Sequence, residues 1–120
     1  MDKASKIYVS GHSGMVGGAM VRQLQAKGYT NIVCKDSKQL DLRRQADVED
    51  FFKSERPDYV LHFAARVGGI KANMSFPVEF LYDNALINMN VIYAAYKFNV
   101  KKLLYLGSSC VYPRLCPQPM

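Results

Sequence analysis

Ile7-Tyr-Val-Ser-Gly11-His-Ser-Gly14-Met-Val-Gly17 decides how the rest of the chain is read. A short apolar run, Ile7 to Val9, leads straight into glycines spaced G-x-x-G-x-x-G, and an amphipathic segment, Ala19 to Lys27, follows. That order reads as strand, tight turn, helix. Gly11 permits a sharp turn where a Cβ would clash. Gly14 lets the backbone approach a pyrophosphate, and Gly17 lets the helix pack close to the strand. The start of such a helix offers unpaired N–H groups and a partial positive charge, both suited to a phosphate. A glycine-rich turn with no ligand has the same composition. The flanking strand and helix favour a dinucleotide cradle built from Gly11, His12, Ser13, Gly14, Met15, Val16 and Gly17.

Outward from this stretch, strand and helix alternate. Lys6 to Ser10 is the first strand, and Gly14 to Lys27 the first helix, with Val16, Met20, Val21 and Leu24 on its apolar face. Gly28 is placed to end it as a left-handed cap. Asn31 to Lys35 is the second strand. Asp41-Leu42 leads into a polar helix, Arg44 to Glu55, which Asp47 is placed to cap and which carries Val48, Phe51 and Phe52 inward. Pro57 closes it. Tyr59 to Ala65, apolar nearly throughout, is a third strand covered on both faces. Val67-Gly-Gly-Ile70 is a loop, Pro77 to Asn99 a long helix, and Lys102 to Gly107 the fourth strand. The pattern predicts an α/β, Rossmann-like, doubly wound parallel sheet with right-handed crossovers and strand order 3-2-1-4.

The bulk properties exclude several classes. The chain has 120 residues, 49% hydrophobic and 22% charged, as in an ordinary globular domain. No apolar run reaches bilayer-spanning length. Met1-Asp-Lys-Ala-Ser-Lys lacks the apolar core of a signal peptide, which makes the cytoplasm the expected compartment. Cys34, Cys110 and Cys116 are an odd count without metal-ligand spacing, so free thiols are expected and no metal site. The net charge of +6 comes from scattered residues with no aromatic-interleaved cluster, which argues against nucleic acid.

Four motifs then coincide: the glycine stretch, Asp41-Leu42, His62-Phe-Ala-Ala-Arg-Val-Gly-Gly-Ile70 and Ser108-Ser-Cys-Val-Tyr-Pro113. Together they resemble the extended short-chain dehydrogenase/reductases that act on sugar nucleotides. The last two most resemble the members that epimerise GDP-4-keto-6-deoxy-D-mannose at C3 and C5 and reduce it at C4 with NADPH. Another NAD(P)-dependent sugar-nucleotide epimerase or dehydratase, or a non-catalytic nucleotide-binding module, are the alternative readings.

The resemblance implies roles residue by residue. Gly11 to Gly17 hold the pyrophosphate; Asp41 and Leu42 border the adenine; Ala64 and Ala65 pass beneath the cofactor. Leu106, Gly107, Ser108 and Ser109 line the nicotinamide side. Ser108 donates a hydrogen bond to the keto oxygen, where a hydroxyl stabilises a developing alkoxide. Cys110 exchanges the proton during epimerisation, since a thiolate can remove a proton alpha to a ketone. On the residues alone, Ser108 is equally a turn or cap residue, and Cys110 a small buried hydrophobe. His12 and His62 read as a turn residue and a strand-end packing residue. A GDP-sugar substrate and a homodimer of the full-length protein are also implied.

Two positions depart from the family pattern. Ser13 stands where the family often has an arginine for the 2′-phosphate of NADP. Near the end of strand two, Asp36 favours the free ribose hydroxyls of NAD while Lys35 and Lys38 favour NADP; NADP is the expectation, mainly through the family. The family's catalytic Tyr-x-x-x-Lys pair follows the serines of strand four, beyond Met120. Residues 1–120 therefore read as the N-terminal part of a dinucleotide-binding domain, without that pair or the substrate domain. Tyr93 and Lys97 have the spacing but precede strand four, and about 15 residues of helix at 1.5 Å each place Lys97 about 20 Å from the strand ends. Residues 1–120 alone are accordingly expected to turn over no GDP-4-keto-6-deoxymannose. Substrate-dependent oxidation of NADPH above a no-protein control, in a monodisperse sample, would contradict this.

Overall fold

The computed structural model describes residues 1–120. Its elements are β1 (Ile7–Ser10), α1 (Met15–Ala26), β2 (Ile32–Val33), α2 (Gln45–Glu55), β3 (Tyr59–His62), α3 (Ile70–Ser75), α4 (Pro77–Lys97) and β4 (Lys102–Tyr105), then a 3-10 turn at Ser109–Val111. The strands form one parallel sheet in the order β2-β1-β3-β4. The α/β class and the parallel sheet are as the alternating pattern predicts.

The strand order differs from the expected 3-2-1-4, and the reason is which face each helix covers. Ile7 and Val9 of β1 point to the α1 face and pack with Leu24. Tyr8 and Val60 point to the other face, where Val48 and Phe52 of α2 meet Val91, Ala94 and Ala95 of α4. Right-handed crossovers on opposite faces move in opposite directions along a sheet. The step through α1 places β2 on one side of β1. The step through α2 therefore runs back past β1, and the step through α4 continues that way to β4. The direction thus reverses between β1 and β3, and that is where such sheets open a crevice at the strands' carboxyl ends.

Local chemistry sets the ends of the elements. Gly28 has φ +85°; the N–H of Tyr29 donates to the Leu24 carbonyl and that of Gly28 to Gln25, a Schellman cap as the glycine predicts. Asn99, at φ +57°, ends α4 in the same way. The cap residue of α2 is Arg44, not Asp47, and no side chain caps the helix. Asp47 instead sits in the first turn, 3.3 Å from Arg44, where a carboxylate complements the helix dipole. The Val-Gly-Gly-Ile loop gives way to α3, and Pro77 at the first turn of α4 separates the two helices. β2 is shorter than expected because the chain turns at Asp36, whose carboxylate accepts the Lys38 and Gln39 amides.

Phe52 is fully buried, and its ring meets Tyr8 edge-on at 5.8 Å. Phe52→Ala is expected to lower stability by about 3–5 kcal/mol. In urea unfolding this appears as a lower midpoint with an unchanged slope; a loss below about 1 kcal/mol contradicts the packing described.

Candidate functional site

The geometry of the site starts at β1's exit. Gly11 has φ +75°, and a Cβ there would lie 2.8 Å from the Ala64 backbone nitrogen. The loop therefore passes directly across the end of β3, as no side chain would allow. A Cβ on Gly17 would lie 2.1 Å from the Gly11 carbonyl oxygen, so α1 begins pressed onto the turn that feeds it. The Gly14 N–H donates to that same carbonyl at 3.1 Å. A Cβ on Gly14 meets nothing nearer than the Gly11 oxygen at 3.4 Å, and its own face is open.

This loop forms one wall of a cleft of about 830 Å³ at the carboxyl end of the sheet. The rest is lined by residues 35–37, 40–43 and 63–67, with Asp83, Ile87 and Leu106. The start of α1 carries no side-chain cap and no acidic residue in its first turn, so its N–H groups face no competing anion. The His12 Nδ1 is buried without a hydrogen-bond partner.

The wall opposite the glycine loop is a chain of alternating charges. Arg43 pairs with Asp41 at 2.8 Å and with Asp83 at 3.5 Å, and Arg66 pairs with Asp83 at 2.7 Å. The hydrogen bond from Arg43 holds the Asp41 carboxyl below its usual range, and that from Arg66 does the same for Asp83. Both are thus ionised at neutral pH. What they add to stability is present above the ordinary carboxylate range and is lost as the pH falls through their depressed values. Both arginines are exposed enough for that contribution to be small. Asparagines of α4 hold the same wall: Asn84 bonds both the N–H and the carbonyl of Arg66, at 2.7 and 2.9 Å, and Asn90 donates to the Leu42 carbonyl at 2.9 Å.

Of the residues expected from sequence, Gly11 to Gly17, Asp41, Leu42, Ala64, Ala65 and Leu106 line the cleft. Val16, expected on the buried face of α1, is 40% exposed and belongs to this lining. Lys38, Gly107, Ser108, Ser109 and Cys110 do not line it. Residues 107–112 are exposed; the Ser108 Oγ accepts the Cys110 N–H at 3.1 Å, capping the 3-10 turn. Lys97 is bonded to Glu49 at 2.8 Å and does not line the cleft. Sequence reasoning missed Arg43, Arg66 and Asp83. Arg43 follows Asp41-Leu42 and Arg66 lies within the His62–Ile70 motif, where neither was given a role, but Asp83 lies mid-helix with no local signature. No group of residues with metal-ligand character is present, and no helix is long and apolar enough to cross a membrane.

Comparison with known proteins extends this geometry. A family model described as the NAD dependent epimerase/dehydratase family matches residues 7–120. GDP-L-fucose synthase 1 of Arabidopsis thaliana is 56% identical over 119 residues, which are 99% of this chain and 37% of that enzyme's length. Two solved structures superpose over the whole chain. GDP-mannoheptose C4 reductase from Campylobacter jejuni with NADP bound has a TM-score of 0.95 at 42% identity, with 38% of that chain covered. GDP-L-fucose synthetase from Naegleria fowleri bound to NADP has a TM-score of 0.85 at 32% identity, with 36% covered. The chain thus spans little more than a third of these relatives.

The glycine geometry makes a paired prediction. Gly17→Ala forces backbone apart and is expected to cost about 1–3 kcal/mol, whereas Gly14→Ala is expected to leave stability within about 0.5 kcal/mol. Thermal or urea unfolding of the two variants checks this; equal effects would contradict the close contact at Gly17.

Proposed function

Because the chain belongs to the NAD dependent epimerase/dehydratase family, we propose that its glycine-loop cleft holds NADP in an enzyme of GDP-L-fucose synthase type. Such an enzyme epimerises GDP-4-keto-6-deoxy-D-mannose at C3 and C5 and reduces it at C4. The observation that carries the reading is the contact of Gly11 with Ala64 beneath an uncapped, acid-free helix start. It builds an anion cradle of dinucleotide size at the point where the sheet reverses direction.

The residues present fit the group. Positions 11–17 offer backbone N–H groups to a pyrophosphate, and the unpartnered His12 Nδ1 lies in the same loop. Asp41 and Leu42 border the adenine, Ala64 and Ala65 form the floor, and positions 106–109 lead to the nicotinamide side. Two details favour NADP over NAD. Both Lys35 and Asp36 line the cleft, and the Asp36 Oδ1 is engaged by the amides of Lys38 and Gln39, which leaves one carboxylate oxygen to set against the charge of Lys35. When bound, NADPH supplies a hydride to the sugar's carbonyl carbon. This chain's own residues do the rest of what is proposed here. Ser108 donates to the keto oxygen, and Cys110, on an exposed segment, takes and returns the proton at the carbons beside the ketone.

The proposed partners are a GDP-sugar and a second copy of the full-length protein. The outward face of α4 supports the second, since Leu81, Tyr82, Met89, Tyr93 and Tyr96 are all at least half exposed along it. Three free cysteines suit the cytoplasm, the proposed compartment.

Titration calorimetry with NADP⁺ and NAD⁺ at fixed salt tests the cofactor reading. NADP⁺ is expected to bind more tightly. Gly14→Val, folded by circular dichroism, is expected to weaken it at least about tenfold, the scale of one lost charge-assisted hydrogen bond. Unchanged affinity in that variant would overturn the assignment of the loop.

A further inference from the structure

Ser10, His62 and Tyr105 stand directly opposite one another on the last paired row of the sheet. Ser10 is fully buried and His62 is 1% exposed. The Ser10 Oγ lies 2.6 Å from His62 Nδ1, and His62 Nε2 lies 2.9 Å from Asn88 Oδ1 on α4. The Asn88 amide in turn donates to the Tyr105 hydroxyl at 3.3 Å. This row borders the cleft, because the chain leaves β1 and β3 here for Gly11 and Ala64.

The direction of each bond follows from its donors. The Ser10 Oγ accepts two backbone N–H groups, those of Phe63 and Ala64, each at 3.2 Å; the Phe63 N–H is shared with the Ser10 carbonyl, also at 3.2 Å, whereas the Ala64 N–H has Oγ alone. With both lone pairs engaged, its own proton goes to His62 Nδ1. Nδ1 is therefore the ring's acceptor, and Nε2 carries the proton that Asn88 Oδ1 accepts. The ring is neutral and in a single tautomer. A proton added at Nδ1 would point at a serine oxygen whose lone pairs are both occupied. Ser10 would then have to weaken its hold on both amides, of which Phe63 keeps the Ser10 carbonyl as a second acceptor and Ala64 keeps none. Ala64 is the residue whose backbone nitrogen lies against Gly11.

We propose that His62 is a positioning residue for the nucleotide cleft: its neutral form keeps Ser10 a double acceptor, which fixes the Ala64 amide under the glycine loop, and its protonation loosens that floor and weakens dinucleotide binding. This rests on the cofactor reading above.

The surroundings of His62 agree. β1 presents Ser10, α4 presents Asn88, and β4 presents the Tyr105 phenol, whose ring centre is 5.7 Å away. No carboxylate is bonded to the imidazole; Asp83 of α4 is engaged by Arg66 and Arg43. Burial holds the His62 pKa below the ordinary 6.5, against a smaller upward pull from Asn88. An unfolded chain therefore takes up the proton first as the pH falls. The stability given by neutral His62 is complete above about 6.5 and declines below it, towards the lowered folded value.

Calorimetric titration of the protein with NADP⁺ and, separately, NAD⁺ between pH 5.5 and 8 tests the proposal. NAD⁺ serves because it lacks a 2′-phosphate, a group that itself titrates near pH 6. Both dissociation constants are expected to rise as the pH falls; that of NAD⁺ approaches a limiting slope of about tenfold per pH unit, the mark of one linked proton, and that of NADP⁺ adds the titration of its 2′-phosphate. His62→Gln, neutral at every pH, is expected to give a flat NAD⁺ profile. Asn88→Asp places a carboxylate against Nε2–H and is expected to move the onset to higher pH, which keeps the test decisive should His62→Gln fail to fold. Nitrogen-15 spectra at pH 7.5 are expected to show His62 protonated at Nε2. A flat parental profile, a parental slope retained in His62→Gln, an unmoved onset in Asn88→Asp, or an Nδ1–H tautomer would each overturn the inference while leaving the cofactor reading standing. Failure of the parent to bind either nucleotide at pH 7.5 would remove both.

Discussion

The rest of the structure depends on how closely two backbones pass at the carboxyl end of the sheet. Gly11 crosses Ala64, and Gly17 crosses Gly11, at distances where a methyl group would overlap peptide atoms. Neither neighbour is the far end of a flexible side chain, so neither can move aside. The first contact seats the turn on β3, and the second starts α1 immediately behind it. Together they aim an uncapped helix start over the gap between β1 and β3, where the sheet's winding reverses. A cleft in that place follows from the topology, and its affinity for an anion follows from the helix start.

The opposite wall obeys a different logic. It is built from loops, and loops need ties to hold a shape. α4 supplies them: Asn84 holds both backbone groups of Arg66, Asn90 holds the Leu42 carbonyl, and Asp83 joins Arg66 to Arg43. The buried far side of that helix, Val91, Ala94 and Ala95, packs on Val48 and Phe52 of α2. The helix therefore anchors in the core on one side and fixes the cleft on the other. Packing in the core and the width of the site are mechanically linked through it.

Much of this was legible in the residues. The glycine spacing pointed to the tight turn because Gly11 and Gly17 each answer a steric demand that no other residue meets. Alternating apolar segments fixed the class, since a strand buried on both faces and an amphipathic helix have different periods. The strand order was not legible in the same way. It depends on the face that Val48 and Phe52 seek, a tertiary fact that periodicity does not carry. Asp83 and the asparagines of α4 escaped notice for a related reason. Polar residues inside a helix look like solvent-facing positions until the strands beside them are placed. His62 was read as a packing residue, and it is buried as that reading implies. Its two hydrogen bonds depend on Ser10 and Asn88, which are 52 and 26 residues away in sequence. The roles of Ser108 and Cys110 rest on resemblance; the structure places them on an exposed turn beyond β4.

The central claim is that the cradle at the β1–β3 reversal is where the dinucleotide phosphates sit. Backbone amide shifts of the nitrogen-15-labelled protein, followed during titration with NADP⁺, test it most directly. The account predicts the largest saturable shifts at Gly11, Ser13, Gly14, Met15 and Gly17, with Ala64 responding beneath them. Shifts concentrated instead in the groove between α3 and α4, around Asn73, Phe80 and Ala85, with the glycine loop unmoved, would contradict it.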